Sequence, residues 1–404
     1  MELKFSGVHL LMLCCTAFFA MAAGAILAPV LPGMVDPLGT TDAEVGLMMS
    51  VLTVSTAIFT LVVGSFVDGV KRKSVLVPCL VLYGLPGLVC FFVSDFHLLL
   101  ALRFIQGIGV SAMMTLALLI IGDVYEGHDS IQAVSRISMS VAIGAISAPL
   151  IGGSLAMLGW NYPFLFYALS LPFALAVFVF LPETGGEKNG NRSGNRNGIG
   201  EALASLKDLR VFYTVFLAFA IFFMLFAMII YVPFMLRDEF GFSSGTSGLM
   251  LAVEGLAGVI LASRVKYLTG RFSMLPVIVA GFVLLGLSMI AISFVPSVAA
   301  ILLLLIVFGA GFGVAQTTID VLIVRISAPE SRGGLLSVHN CMKYVGQSLS
   351  PVVFAFVMVA FGLNVVLMIA GFFGLVIALV TFAVKGRFGV FGGCRDESES
   401  GPSA

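Results

Sequence analysis

Charge is what this 404-residue chain has least of: Asp, Glu, Lys and Arg make up 10% of it. Hydrophobic residues make up 60%, and the mean hydropathy is +1.13. A soluble domain carries about 25% charged residues, so water cannot be the solvent for most of this surface. The 21 basic and 21 acidic residues cancel, and no basic tract points to nucleic acid as a partner. The six cysteines (Cys14, Cys15, Cys79, Cys90, Cys341 and Cys394) lie mostly in apolar runs without C-x-x-C spacing. That suits packing rather than metal binding. The four histidines are scattered and add no ligand set, so neither metal nor cofactor is expected. A G-x-x-x-x-G-K-[ST] phosphate loop is missing. This excludes a built-in ATP motor, while a separate ATPase partner stays open. Clustered catalytic side chains are missing as well, so the chain is not read as an enzyme.

What the chain has in their place is a series of apolar runs of roughly the 20 residues a spanning helix needs. A membrane β-barrel would show short alternating segments instead. Twelve spans are read at about 8–30, 44–66, 74–94, 97–121, 136–157, 163–181, 211–233, 246–263, 274–295, 298–322, 335–360 and 363–384, the eighth being the weakest. Ala20-Met21-Ala22 has the look of a signal-peptide cleavage site, but the first run is too long for one and eleven more follow. It is read as retained.

Lys and Arg set the orientation. Lys4, Lys71, Arg72, Lys73, Arg136, the cluster from Lys188 to Arg210, Arg264, Lys266, Arg271, Arg325, Arg332 and the basic tail residues share one side. The opposite loops hold Arg237 against Asp36, Asp42, Glu44, Asp95, Asp238 and Glu239. The positive-inside rule therefore expects an inner-membrane protein with both termini cytoplasmic. A Gly/Asn-rich stretch at mid-chain splits it into an N-terminal bundle over 1–184, a linker over 185–209, a C-terminal bundle over 210–385 and a tail over 386–404. The halves echo each other. Gly107-x-Gly109 in the fourth span recurs as Gly309-x-Gly311 in the tenth, 202 positions on (309 − 107). The same offset carries Gly144-x-x-x-Ala148-Pro149 of the fifth onto Gly346-x-x-x-Ser350-Pro351 of the eleventh (346 − 144). Two matches at one offset imply a duplicated all-α architecture: two pseudo-symmetric six-helix bundles.

Several short motifs carry more. The loop between spans two and three runs from Gly64 through Asp68 to Lys71-Arg72-Lys73. Read alone, it is a glycine for close helix approach beside a cationic turn, or simply a positive-inside anchor. It resembles the cytoplasmic loop signature G-x-x-x-D-x-x-G-R-K of the major facilitator superfamily, with Lys71 in place of the second glycine. The second-half copy keeps Gly270-Arg271 but has Tyr267 where the acid belongs. Arg103-x-x-Gln106-Gly107-x-Gly109 resembles the family's fourth-helix motif. Gly144-x-x-x-Ala148-Pro149-x-x-Gly152-Gly153 is similar to the fifth-helix motif of its drug/proton antiporter branch, with Ala148 where glycine is usual. Leu181-Pro182-Glu183-Thr184 looks like a family ending of span six. The resemblance covers the whole chain. It implies a twelve-helix transporter working by alternating access. It also implies an inner-gate charge network of Asp68, Arg72 and Asp123, and a part for Arg103 in proton coupling.

The remaining candidates are ionisable or adaptable side chains within spans. Arg103 either snorkels to the outer interface or faces the bundle interior with Gly107, Ser111 and Thr115. Glu254, near the middle of span eight, is the most informative single residue, because an acid at that depth is by default functional. Either it carries protons, or it is paired structurally, for instance with Lys343 in span eleven. Asp320 is a second proton candidate, or a solvated charge near a helix end. Ser140, Gly144, Ala148 and Gly152 form a small-residue stripe suited to helix contact. Met113, Met114, Phe222 and Phe226 are weaker candidates for adaptable pocket walls, or else core. The expected activity is proton-coupled efflux of small, largely apolar or amphiphilic compounds by a single chain in the lipid bilayer. A symporter or uniporter for a small metabolite is the alternative.

Overall fold

The computed structural model describes residues 5–66, 70–185, 204–327 and 332–384. Asp68, the linker residues 186–203 and the tail therefore lie outside the described residues. Among the described residues, twelve helices are long and apolar enough to cross a membrane: Gly7–Leu38, Asp42–Gly64, Arg72–Cys90, Phe96–Val124, Gly127–Ala156, Tyr162–Phe180, Leu209–Phe240, Ser244–Ala262, Met274–Ile292, Val298–Ile326, Gly334–Phe361 and Leu363–Val384. They are called spans 1 to 12.

Several spans outrun the apolar segments that reveal them. Spans 4, 5, 7 and 10 have 29 to 32 residues, or about 45 Å at 1.5 Å per residue, against a hydrocarbon core of about 30 Å. The excess is polar helix standing in the interface. Span 5 starts at Gly127 rather than near 136, because residues 127–135 continue the helix through Asp129 and Ser130. Span 7 continues through Pro233 to Phe240, where Gly241 ends it in a left-handed turn (φ 65°). Span 1 does not stop at 30. Its helix ends at Ala25, passes through a 3-10 turn over Ala28–Val30 containing Pro29, and resumes over Leu31–Leu38.

The duplication is visible at the backbone. Gly107 of span 4 lies against the carbonyl of Leu52 in span 2, and Gly309 of span 10 against the carbonyl of Glu254 in span 8. Positions 52 and 254 are again 202 apart (254 − 52). On the other flank, Gly109 meets the Cys79 carbonyl of span 3, and Gly311 the Gly281 carbonyl of span 9, once more 202 apart (281 − 79). Each half therefore wedges its fourth helix between its second and third, at distances where a side chain would strike backbone. Small residues at crossings are the general means of close helix approach in lipid, where no hydrophobic force drives helices together.

The halves meet through spans 2 and 11 and through spans 5 and 8. Contacts concentrate at the end bearing Asp42 and Glu44. There Gly153 lies against the Ser244 backbone, Gly248 against the Pro149 carbonyl, and Gly46 against the Pro351 ring. Towards the opposite, basic end, span 5 exposes apolar Val134, Met139 and Ile143 together with polar Ser135, Ser138 and Ser140. Towards its basic end span 5 is thus uncovered on most of its sides. The molecule is closed at its acidic end and parted at its basic end.

Adding one methyl group at Gly107 or Gly309, by Gly→Ala, is expected to destabilise the protein by about 1–3 kcal/mol through overpacking. Gly122→Ala, which meets open space on the same span 4, should change stability by less than about 1 kcal/mol. Thermal unfolding of the detergent-purified variants measures the difference.

Candidate functional site

Four polar constellations stand out within the spans and at their ends. The first surrounds Arg103, which is fully buried in span 4. Its Nη1 donates to Gln106 Oε1 (2.6 Å) and Tyr167 Oη (3.2 Å), its Nη2 to the Ala23 carbonyl (3.1 Å), and its Nε to the Met48 carbonyl (3.5 Å). Its guanidinium also stands 5.5 Å from the Tyr167 ring centroid. The break in span 1 explains why Ala23 can accept. Leu27 N–H, which would bond Ala23 in a regular helix, donates to the Gly24 carbonyl instead. The freed Ala23 oxygen takes both Arg103 and Tyr167 Oη (2.8 Å). Gln106 Nε2 donates to the Tyr83 carbonyl (3.0 Å), tying span 3 into the same network. Arg103 is thus an interior residue. No carboxylate pairs with it among the described residues; carbonyls, an amide and a phenol offset its charge. Ser111 shares its buried face, while Ser55 and Thr56 of span 2 donate to the Phe104 and Gly107 carbonyls there.

The second constellation clamps the loop between spans 2 and 3. Arg72 Nε pairs with Asp123 Oδ2 at 3.0 Å, and Arg72 N–H donates to the Thr184 carbonyl (2.9 Å). Lys73 N–H and Ser74 Oγ donate to the two carboxylate oxygens of Glu183 (2.9 and 3.2 Å). Lys73 Nζ donates to the Phe178 carbonyl (3.2 Å), and Lys71 bridges to Gly185. The Arg72–Asp123 pair expected from sequence is present, and Asp68 lies outside the described residues. Gly64 meets open space. What sequence reasoning missed is Glu183. Its carboxylate takes the free Lys73 N–H and the Ser74 hydroxyl in the first turn of span 3, where negative charge also suits the helix dipole. The Leu-Pro-Glu-Thr signal was visible, but its partner was not.

The third is the seam between the halves. The fifth-helix motif serves it from both sides: Gly152 lies against the Ile26 carbonyl of span 1, Gly153 against Ser244 of span 8, and Gly144 against Met21. Ala148 and Pro149 are buried between them. At the acidic end Arg237 Nη2 pairs with Asp42 Oδ1 (3.0 Å), and Nη1 donates to the Pro32 carbonyl (2.8 Å). This latch joins the C-terminal half to the N-terminal one. Sequence placed both charges in that region without showing that they meet.

The fourth lies in the C-terminal half. Glu254 is buried (6% exposed) in span 8, between spans 5 and 10. Its carboxylate has no ion pair or hydrogen bond among the described residues. The pairing with Lys343 is not found: Lys343 Nζ lies 2.6 Å from Asp320 Oδ1. Packing explains this, because span 11 lies against spans 7 and 2, whereas span 8 lies against spans 5 and 10. His339 Nε2 also bonds Asp320 Oδ1 (2.8 Å), and Gln316 Nε2 donates to Oδ2 (2.6 Å). Lys343 Nζ stands 5.7 Å from the Phe222 ring centroid, and Phe222 packs edge-on to Phe312 at 5.6 Å. Asp320 is therefore tightly partnered rather than merely solvated. Of the four wall candidates, Met113 and Phe226 sit in the packed core, while Met114 and Phe222 are half-buried.

Among known proteins, the chain is 29% identical over 351 residues to the bacillibactin exporter of Bacillus subtilis, covering 83% of this chain and 86% of that one. It is 24% identical to the multidrug resistance protein MdtG of Salmonella typhi, with 86% and 88% covered. Among solved structures, a bacterial homologue of the human lysosomal transporter Spinster, crystallised inward-facing and unoccupied, superposes with a TM-score of 0.82 at 17% identity, covering 94% and 96%. The nucleoside transporter NupG, solved as a point mutant, superposes at 0.80 with 16% identity, covering 93% and 99%. Matched over residues 13–351 and 236–388, this chain of twelve spans in two like halves belongs to the Major Facilitator Superfamily.

Proposed function

We propose that the protein exports small amphiphilic compounds by alternating access, driven by protons moving inward. The observation that carries this reading is Glu254, a buried carboxyl without a partner among the described residues, set where span 8 crosses both span 5 of the other half and span 10 of its own. An ionised carboxylate held there costs several kcal/mol, and a neutral one does not. Charge state and helix position are therefore linked: the acid is at ease ionised only when the seam opens to water or a cation. Membership of a transporter family, and relatives named bacillibactin exporter and multidrug resistance protein, favour efflux.

The positive-inside rule makes the basic end cytoplasmic. With the acidic end latched and the basic end parted, the conformation is then inward-facing, ready to load from the cytoplasm. Arg103 acts by fixing the break in span 1, through which motion of the N-terminal half passes, and not as a proton carrier itself. The loop clamp of Arg72, Asp123 and Glu183 keeps the inner ends of spans 3, 4 and 6 moving as one body.

Glu254→Gln should abolish substrate flux driven by an imposed pH gradient in vesicles, with the variant still purifying as a folded protein; unchanged flux would remove its assigned role. Asp123→Asn removes the carboxylate charge 3.0 Å from Arg72 Nε. It should slow turnover severalfold while leaving substrate affinity within about twofold, whereas weakened binding at normal turnover contradicts a gate role. Arg237→Ala breaks a latch whose partners are about one-third exposed. Such a pair is worth up to about 1 kcal/mol, so the outward-facing population should rise by up to about fivefold. Labelling of a Ser244→Cys variant by an impermeant reagent added from outside measures that population.

A further inference from the structure

The cluster around Asp320 does more than hold one charge in the C-terminal half. Two groups converge on the same carboxylate oxygen, Lys343 Nζ and His339 Nε2, while Gln316 holds the other oxygen. The three members differ in their access to water. His339 is 2% exposed at its side chain and Lys343 14%, but Asp320 is 35% exposed. The two basic residues are the buried part, and the carboxylate is the part nearest water. Beside Asp320 opens a cleft of about 410 Å³ lined by Thr317, Asp320, Val321, Val324 and Arg325. A second cation, Arg325, therefore stands on the wall of this cleft. Lys343 and His339 thus bond one carboxylate, and an aromatic pair lies alongside: the Phe222 ring under Lys343, with Phe312 edge-on to it.

We propose that Lys343 and His339 form an anion-receiving subsite for an aromatic acid, with Asp320 as a removable internal counter-ion. This rests on the transport reading above and names the charge its amphiphilic cargo carries. When such a ligand enters, its carboxylate takes the place of the Asp320 oxygen at Lys343, and its ring stacks on Phe222. Asp320 turns to Gln316 and to water in the cleft. No charge is left unpaired, because one anion replaces another at the buried Lys343. A cationic ligand is at a disadvantage, since it must detach Lys343 and His339 from Asp320 and leave Lys343 buried without an anion. Loss of a partner at a buried charge is the costlier change, so the cluster selects against cations. An isolated buried lysine would bind anions without regulation. The resident carboxylate keeps the site neutral when empty and makes binding an exchange.

Three probes of one shape separate the possibilities: 2-naphthoate, 2-naphthylmethanol and 2-naphthylmethylammonium, titrated calorimetrically into the detergent-purified full chain. Naphthoate is expected to bind saturably, and the other two at least about tenfold more weakly, as for loss of a hydrogen bond to a charged group. Lys343→Gln should abolish the preference for naphthoate. Asp320→Asn, which removes the competing anion, should tighten naphthoate about fivefold, the value of a partly exposed ion pair. If Lys343→Gln does not purify as a monodisperse protein, Asp320→Asn decides alone. The proposal is overturned if the ammonium probe binds tightest, if naphthoate does not saturate, or if Asp320→Asn fails to tighten it. Binding is read without transport, so flux lost in Glu254→Gln vesicles and naphthoate binding stand or fall separately.

Discussion

Backbone contact between helices is the constraint on which the rest of this structure depends. Within hydrocarbon, a helix satisfies its own hydrogen bonds, and association must come from close packing. Gly107 and Gly309 let spans 4 and 10 approach spans 2 and 8 until main chain meets main chain. That approach sets which side chains can exist nearby. Around span 4 the space left is filled by hydroxyls: Ser55 and Thr56 donate to carbonyls across the crossing. Around span 10 the crossing falls on the backbone of Glu254 itself.

Polar groups inside the bilayer follow from the same geometry. A helix that breaks, as span 1 does after Ala25, exposes a carbonyl with no intrahelical donor. Arg103 and Tyr167 supply the donors, so the break and the buried cation stabilise each other. Neither would be tolerable alone: an unpaired carbonyl costs several kcal/mol in hydrocarbon, and so does an unpaired guanidinium. The motif R-x-x-Q-G-x-G is therefore one structural unit in which glycine provides approach, arginine repairs the neighbour's break, and glutamine ties in the Tyr83 carbonyl of span 3.

How much of this could be read from residues alone depends on the range of the physics. Span number, the halves and the crossings were legible, because length, hydropathy and glycine spacing are properties of one helix at a time. Glu254 was legible as a lone acid in an apolar run. Partners were not, since depth in the membrane says nothing of the direction a side chain faces. Lys343 lies deep enough to meet an acid, but only the packing of span 11 on spans 2 and 7 sends it to Asp320 and away from Glu254. The Arg237–Asp42 latch and the Glu183 clamp were hidden for the same reason: each joins residues more than a hundred positions apart.

The two halves share a scaffold and differ in how their charges are held. In the N-terminal half the buried cation is fixed by neutral acceptors from spans 1, 2 and 6 as well as its own span, and the position matching Glu254 is Leu52. Those acceptors carry no charge for a proton to neutralise. In the C-terminal half one acid has no partner among the described residues, and the other holds two basic residues through a single oxygen. On the proposed reading both arrangements are poised for exchange, of a proton at Glu254 and of an anion at Asp320. On the proposed reading the groups that exchange a proton and an anion lie on one side of the central seam, and the Arg72–Asp123 clamp lies on the other. Movement of the halves about that seam then alters the surroundings of Glu254 directly, since span 8 is the helix that packs against span 5 of the other half. On the proposed reading, switching and protonation are coupled because they occur at the same helix contact, with no relay between distant sites.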